Sequence, residues 1–283
     1  MRWREGRKSG NIEDRRSAGI PIGAVGGIGG LVLLLILLLS IFLGVNPSQI
    51  LQGPSGPGGQ SQLSEEQQNQ SIEFVSLVLG DTEVIWSQIF QEELGSTYID
   101  PTLVLFTGAV ESACGLASAS VGPFYCPGDQ KIYLDLSFLN DLNESLGAPG
   151  DFAKAYVITH EVGHHVQTLV GTMEYADEMM NQASDAEANR LSVELELQAD
   201  CYSGVWANRS SRHDLILQSG DLESGLNAAS AVGDDRLQRE SQGYVVPDSF
   251  THGTSAQRVE WFSKGFGSGN MSSCNCPDFP PMP

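Results

Sequence analysis

The stretch Ala155-Tyr156-Val157-Ile158-Thr159-His160-Glu161-Val162-Gly163-His164-His165 decides how this chain is read. Ile158, Val162, Val166 and Leu169 recur at near-helical spacing, which gives an amphipathic segment with one buried face. On such a helix positions i and i+4 lie one turn apart on the same side, so the imidazoles of His160 and His164 can converge on one metal ion. Glu161 sits beside them, where a carboxylate can take the proton of an attacking water without binding the metal. Two His and a Glu also recur by chance as solvated helix-face residues. The apolar flanks and a third ligand further along weigh against that plainer reading.

Catalytic zinc takes three protein ligands and keeps a fourth position open. Glu196-Leu197-Gln198-Ala199-Asp200 supplies the missing one. On a helix Glu196 and Asp200 share a face, so Glu196 is the expected ligand and Asp200 the expected acceptor for the far nitrogen of a ligating histidine. Glu194, about 200° of helix rotation from Glu196, points away. His165 lies about 100° round from His164, toward the apolar side, and reads as a core histidine. His252, in the polar loop Ser249 to Ser255, is the candidate donor to the oxyanion of a tetrahedral intermediate, with Tyr202 as a second candidate.

The formal net charge is -20. Six of the 15 Lys and Arg residues (Arg2, Arg4, Arg7, Lys8, Arg15, Arg16) fall in the first sixteen positions with three acids, leaving 9 basic and 32 acidic residues in the remainder. Such a surface repels phosphate backbones, so a nucleic-acid role is disfavoured. Residues Ala18 to Val45 carry no charge and are long enough to cross a bilayer as a helix. With basic residues ahead of the span, the expected arrangement is a single-pass cell-membrane protein with a cytoplasmic N-terminus and an extracytoplasmic catalytic domain. The apolar run is long for a cleaved signal peptide, and no clear small-x-small site follows it.

These features predict four regions: a basic N-terminus over 1–18, a transmembrane helix over 19–45, a flexible Pro/Gly/Ser/Gln-rich stalk over 46–62, and a catalytic domain over 63–283. Within the domain, Leu63 to Leu94 reads as a helix or two broken near Gly80-Asp81. Leu103 to Val110 and Lys131 to Leu136 read as strands, and helices follow over Ala186 to Asn208, Leu215 to Glu223, Leu226 to Gln238 and Thr254 to Phe262, the last capped by Thr254 or Ser255. Cys114 and Cys126 flank a Gly/Ser/Ala loop between strand-like runs and are the expected disulfide. Cys201 can pair with Cys274 or Cys276, or stay a buried thiol.

The run His160 to Gln167 together with Glu196 to Tyr202 resembles the bacterial family of membrane-anchored neutral zinc metallopeptidases, a gluzincin-type group. Asn11 to Arg16, Cys126 to Asp135 and Ser249 to Arg258 match the same family, so the resemblance covers almost the whole chain. It implies His160, His164 and Glu196 as zinc ligands and Glu161 as catalytic acid and base. The resulting expectation is an α+β, zincin-like fold, mostly helical with a small antiparallel sheet and preceded by one transmembrane helix. It would bind one Zn2+ per chain and hydrolyse peptide or protein substrates. The alternative is a catalytically inactive zinc-containing module that binds envelope partners; the presence of Glu161, for which binding alone has no use, argues against it.

Overall fold

In a computed structural model, residues 1–3, 6–17, 64–144, 150–213 and 215–280 are described. Strands β1 (Arg2–Trp3) and β2 (Ile12–Asp14) precede helix α1 (Glu65–Ile89). Strands β3 (Thr102–Phe106), β4 (Ala109–Ser112), β5 (Gly115–Ser118), β6 (Phe124–Cys126) and β7 (Lys131–Asp135) follow. The rest is helical: α2 (Leu136–Glu144), α3 (Asp151–Leu169), α4 (Thr172–Met180) and α5 (Asp185–Arg212), then strand β8 (Leu215–Ile216) and helices α6 (Asp221–Ala231), α7 (Asp234–Gln242) and α8 (Ser255–Ser268).

The expected small antiparallel sheet is corrected by the strand pairing. The main sheet has four strands in the order β2-β3-β7-β6, of which β2–β3 and β3–β7 are parallel and only β6–β7 is antiparallel. Parallel neighbours need a long connection between them, and α1 lies within the one that joins β2 to β3. Covered on both faces, β3 buries Leu103, Val104, Leu105 and Phe106 in succession, which is why its sequence is an unbroken apolar run. β4 and β5 form a separate hairpin, and β1 pairs with β8, so Leu215 and Ile216 are strand where helix was expected.

The expected transmembrane helix has no counterpart in the described fold: among the described residues no helix is long and apolar enough to cross a membrane, and residues 19–45, like the stalk residues 46–62, lie outside the described residues. The first sixteen residues join the body of the protein. β2 lies in register beside β3, Ile12 opposite Leu103 and Asp14 opposite Leu105. Arg16, just after β2, reaches the first turn of α1, where its Nη1 donates to Gln68 Oε1 at 2.6 Å.

This N-terminal arm settles into α1 where a break was expected. The helix starts on a capping box between Ser64 and Gln67 and runs unbroken through Gly80. A side chain there would lie 2.3 Å from the carbonyl oxygen of Arg7, so the glycine admits the arm rather than ending the helix. The buried Glu83 accepts from Ser9 Oγ at 2.5 Å and Asn11 Nδ2 at 2.8 Å. Its other oxygen stands 3.2 Å from the Arg7 guanidinium, without the alignment of a hydrogen bond.

The core gathers where α1, α3, α5 and α8 meet, around Trp86, Phe152, Tyr156, Tyr202, Trp206 and Phe262. Cys114 is bridged to Cys126 and Cys201 to Cys274, while Cys276 is a free buried thiol. The first bridge ties the β4–β5 turn to β6; the second fastens the C-terminal segment to α5.

Candidate metal centre

The site begins with a missing side chain. Gly163, in the turn of α3 between His160 and His164, faces α5 so closely that a Cβ there would stand 2.9 Å from the carbonyl oxygen of Ala199 and 3.0 Å from its Cα. Only glycine permits that approach. Ala199 lies between Glu196 and Asp200, so the contact sets these two acids against the two histidines.

His160 Nε2 lies 3.1 Å from Glu196 Oε2, and His164 Nε2 lies 3.4 Å from Glu196 Oε1. One ligand atom from each of the three residues falls within 4.8 Å of the others. The far nitrogens are both engaged: His160 Nδ1 with Asp200 Oδ1 at 2.9 Å, and His164 Nδ1 with Gln167 Oε1 at 2.8 Å. Each imidazole is therefore turned with Nε2 toward the common point. Two nitrogens and a carboxylate oxygen form a donor set that suits zinc, and their geometry fits it.

Asp200 is fully buried and is the hub beneath the histidine. Arg258 of α8 grips it with two hydrogen bonds, Nε to Oδ2 at 2.8 Å and Nη2 to Oδ1 at 3.0 Å, and the Tyr156 hydroxyl donates to Oδ1. Arg258 Nη2 is also 3.6 Å from Glu196 Oε2. Burial alone would raise the Asp200 carboxyl; Arg258 and His160 outweigh it and hold it below the usual range. Burial likewise disfavours the charged form of His160, yet Asp200 and Glu196 overcome it and push the imidazole up to about 10. Glu196 is held well below the ordinary carboxylate range, with burial opposed by His164 and His160. Glu161 differs: burial keeps it above that range despite both histidines, and no hydrogen bond among the described residues engages its carboxylate.

Glu161 opens onto a cleft of about 650 Å³ between α3, the β6 edge, α7 and the loop before α8. His252 faces the same cleft. Its Nδ1 lies 3.3 Å from Asp234 Oδ1, and the other Asp234 oxygen accepts the backbone N–H groups of Thr251, His252 and Gly253 at 2.8, 2.6 and 3.0 Å. The hydrogen bond that Asp234 accepts raises the His252 pKa against a smaller opposing effect of burial.

The structure thus brings His160, Glu161, His164, Glu196 and His252 around one cleft, with Asp200 buried behind His160. It sets the other candidates elsewhere. Glu194 turns to Arg190, 2.6 Å away, and His165 is a fully buried histidine between the Tyr125 hydroxyl at 3.1 Å and the Ile99 carbonyl at 2.7 Å. Tyr202 is buried edge-on to Trp86 and does not line the cleft. Sequence reasoning missed Arg258, Tyr156 and Asp234. Arg258 left a trace: it lies one turn before Phe262 on the buried stripe of α8, where a charge has no place unless a carboxylate meets it.

With this geometry established, the comparisons decide the family. The family model described as "Putative neutral zinc metallopeptidase" matches residues 1–277. The chain belongs to that family. It is 48% identical over 283 residues to a protein of Escherichia coli K12 named "Uncharacterized protein YpfJ", covering 97% of this chain and 98% of the relative. It is also 41% identical over 188 residues to "Uncharacterized protein Mb2605" of Mycobacterium bovis, covering 63% of this chain and 62% of that one. No solved structure matches. The family match takes in β1 and β2, so the N-terminal arm belongs to the family's shared sequence as well as to this fold.

Proposed function

We propose that this chain is a zinc-dependent endopeptidase, with His160, His164 and Glu196 holding the metal and Glu161 serving as general base. One observation carries the reading: three donor atoms converge beside a cleft while the neighbouring Glu161 carboxylate is left uncommitted. A zinc ion held there lowers the pKa of water and polarises a carbonyl. Glu161, buried and raised in pKa, takes the proton of the attacking water and passes it to the leaving amine, so no acyl-enzyme forms. His252, its Nδ1 oriented by Asp234, offers Nε2 as a donor to the oxyanion. Asp200 keeps His160 oriented, and Arg258 with Tyr156 keeps Asp200 in place.

The test compares wild-type protein with Glu161→Gln on casein and on a peptide library, with and without chelator. Chelator-sensitive cleavage that falls about 10²- to 10⁴-fold in the variant, with zinc content unchanged, is the expected result. If both proteins hold zinc and neither cuts any substrate, the binding-module alternative replaces this reading.

A further inference from the structure

The wall of the cleft has a chemistry distinct from that of its floor. The charged groups that line it are the three of the metal set, Glu161, His252 and Arg258. Arg258 is taken up by Asp200 and His252 by Asp234. The remaining wall includes Val121, Phe124, Phe138, Val157, Val232 and Leu237, and it contributes no further acid and no lysine, although the whole chain carries a net charge of -20. Two of these residues face water: Val121 is 68% exposed and Leu237 38% exposed. Large apolar side chains at the mouth of a concave site mark a surface that a ligand covers.

The backbone of the wall points to the kind of ligand. β6 is the last strand of its sheet, with β7 on one side and no strand paired on the other among the described residues. Its Phe124 and Tyr125 line the cleft that the metal set also lines, so the strand borders the same cavity. Such an edge takes an extended segment by main-chain hydrogen bonds, and the adjoining wall then selects the side chain. A charged side chain seated on this wall would lose its water and find no partner, whereas an apolar one gains from burial.

Resting on the peptidase reading, we propose that the substrate is an extended polypeptide segment that seats a bulky, uncharged apolar side chain against Val121, Val157 and Leu237, with its backbone along β6. Segments with Asp, Glu, Lys or Arg at that position are refused.

The experiment offers the full-length, zinc-loaded protein an equimolar set of peptides that differ at one central position, carrying Leu, Phe, Ala, Asp or Lys. Cleavage is followed by mass spectrometry, and binding of the same labelled peptides to zinc-loaded Glu161→Gln by fluorescence anisotropy. The Leu and Phe peptides are expected to be cut and bound at least tenfold better than the Asp and Lys peptides. Val121→Lys, at an exposed position that the fold does not depend on, is expected to shift the Leu-to-Asp ratio by tenfold or more toward Asp with zinc content unchanged. Leu237→Lys is a second variant with the same expectation. Equal handling of all five peptides, or a ratio that neither variant moves, overturns the proposal, and cleavage in that case still supports the peptidase. If wild type cuts nothing, the peptidase reading fails and the anisotropy ratios alone judge the proposal: no binding, or binding without preference, overturns it.

Discussion

Asp200 and Glu83 are both carboxylates buried in the interior of an acidic protein, at 0% and 1% exposure, but they are balanced in different ways. Asp200 meets a buried guanidinium in two-point geometry, a tyrosine hydroxyl and an imidazole, all three side chains buried. Glu83 meets a serine hydroxyl, an asparagine amide and the half-exposed Arg7, all from the N-terminal arm. The contrast separates two uses of charge. Around Asp200 it fixes the angle of the His160 imidazole in the candidate metal centre; around Glu83 it fastens one piece of chain to another where solvent and salt still reach.

The largest effect is expected from Arg258→Met, which leaves Asp200 buried without its cation. Breaking a buried pair from one side costs about 3–5 kcal/mol, and chemical denaturation should show a loss of that size together with weakened zinc binding. Asp200→Asn retains the shape but weakens the hold on His160. A 10- to 100-fold loss of zinc affinity, measured by competition with a chromogenic chelator, is the expected outcome. Unchanged affinity would mean that Asp200 serves the core alone. Arg7→Ala, at the exposed end of the Glu83 cluster, should cost less than about 1 kcal/mol and lose even that in high salt. A cost equal to that of Arg258→Met would erase the contrast.

The smallest effect is a pH dependence of the arm. Glu13 is lowered from 4.5 to about 2, chiefly by its hydrogen bonds to Arg15 and Lys131, and it lies partly exposed at the sheet edge. A depressed carboxylate contributes its stabilisation fully above the unfolded value and loses it as pH falls through the folded one. Hydrogen exchange at β2 should therefore accelerate between about pH 4.5 and 2, and Glu13→Gln should remove that dependence.

The metal set was legible in the sequence because its ingredients are local: His160 and His164 one turn apart, Glu196 and Asp200 one turn apart, each on its own helix. What brings the two helices together was not. Arg258 and Asp234 come from other elements, and no spacing connects them to the histidines; Tyr156 stands one turn before His160 on α3, but its partner Asp200 is on α5. The sheet was misjudged for the same reason. Parallel pairing is a matter of which strands meet, and the strand completing it, Ile12–Asp14, sits in a short basic segment that resembles a topological signal. Two of its cations have partners in the acidic body, Lys8 Nζ 2.6 Å from Glu73 and Arg7 beside Glu83, while Lys131 of β7 reaches Glu13 of the arm. The Gly80-Asp81 pair read as a break because glycine in a helix is costly; here the cost admits a neighbour's backbone.

Gly163 ties these observations to a measurable quantity. With only a hydrogen atom between the backbones of α3 and α5, the helix spacing and the distance from the two histidines to Glu196 become one mechanical coordinate. A substitution anywhere in the core that wedges those helices apart should announce itself as faster metal release, so a simple chelator titration doubles as a strain gauge for the whole interior.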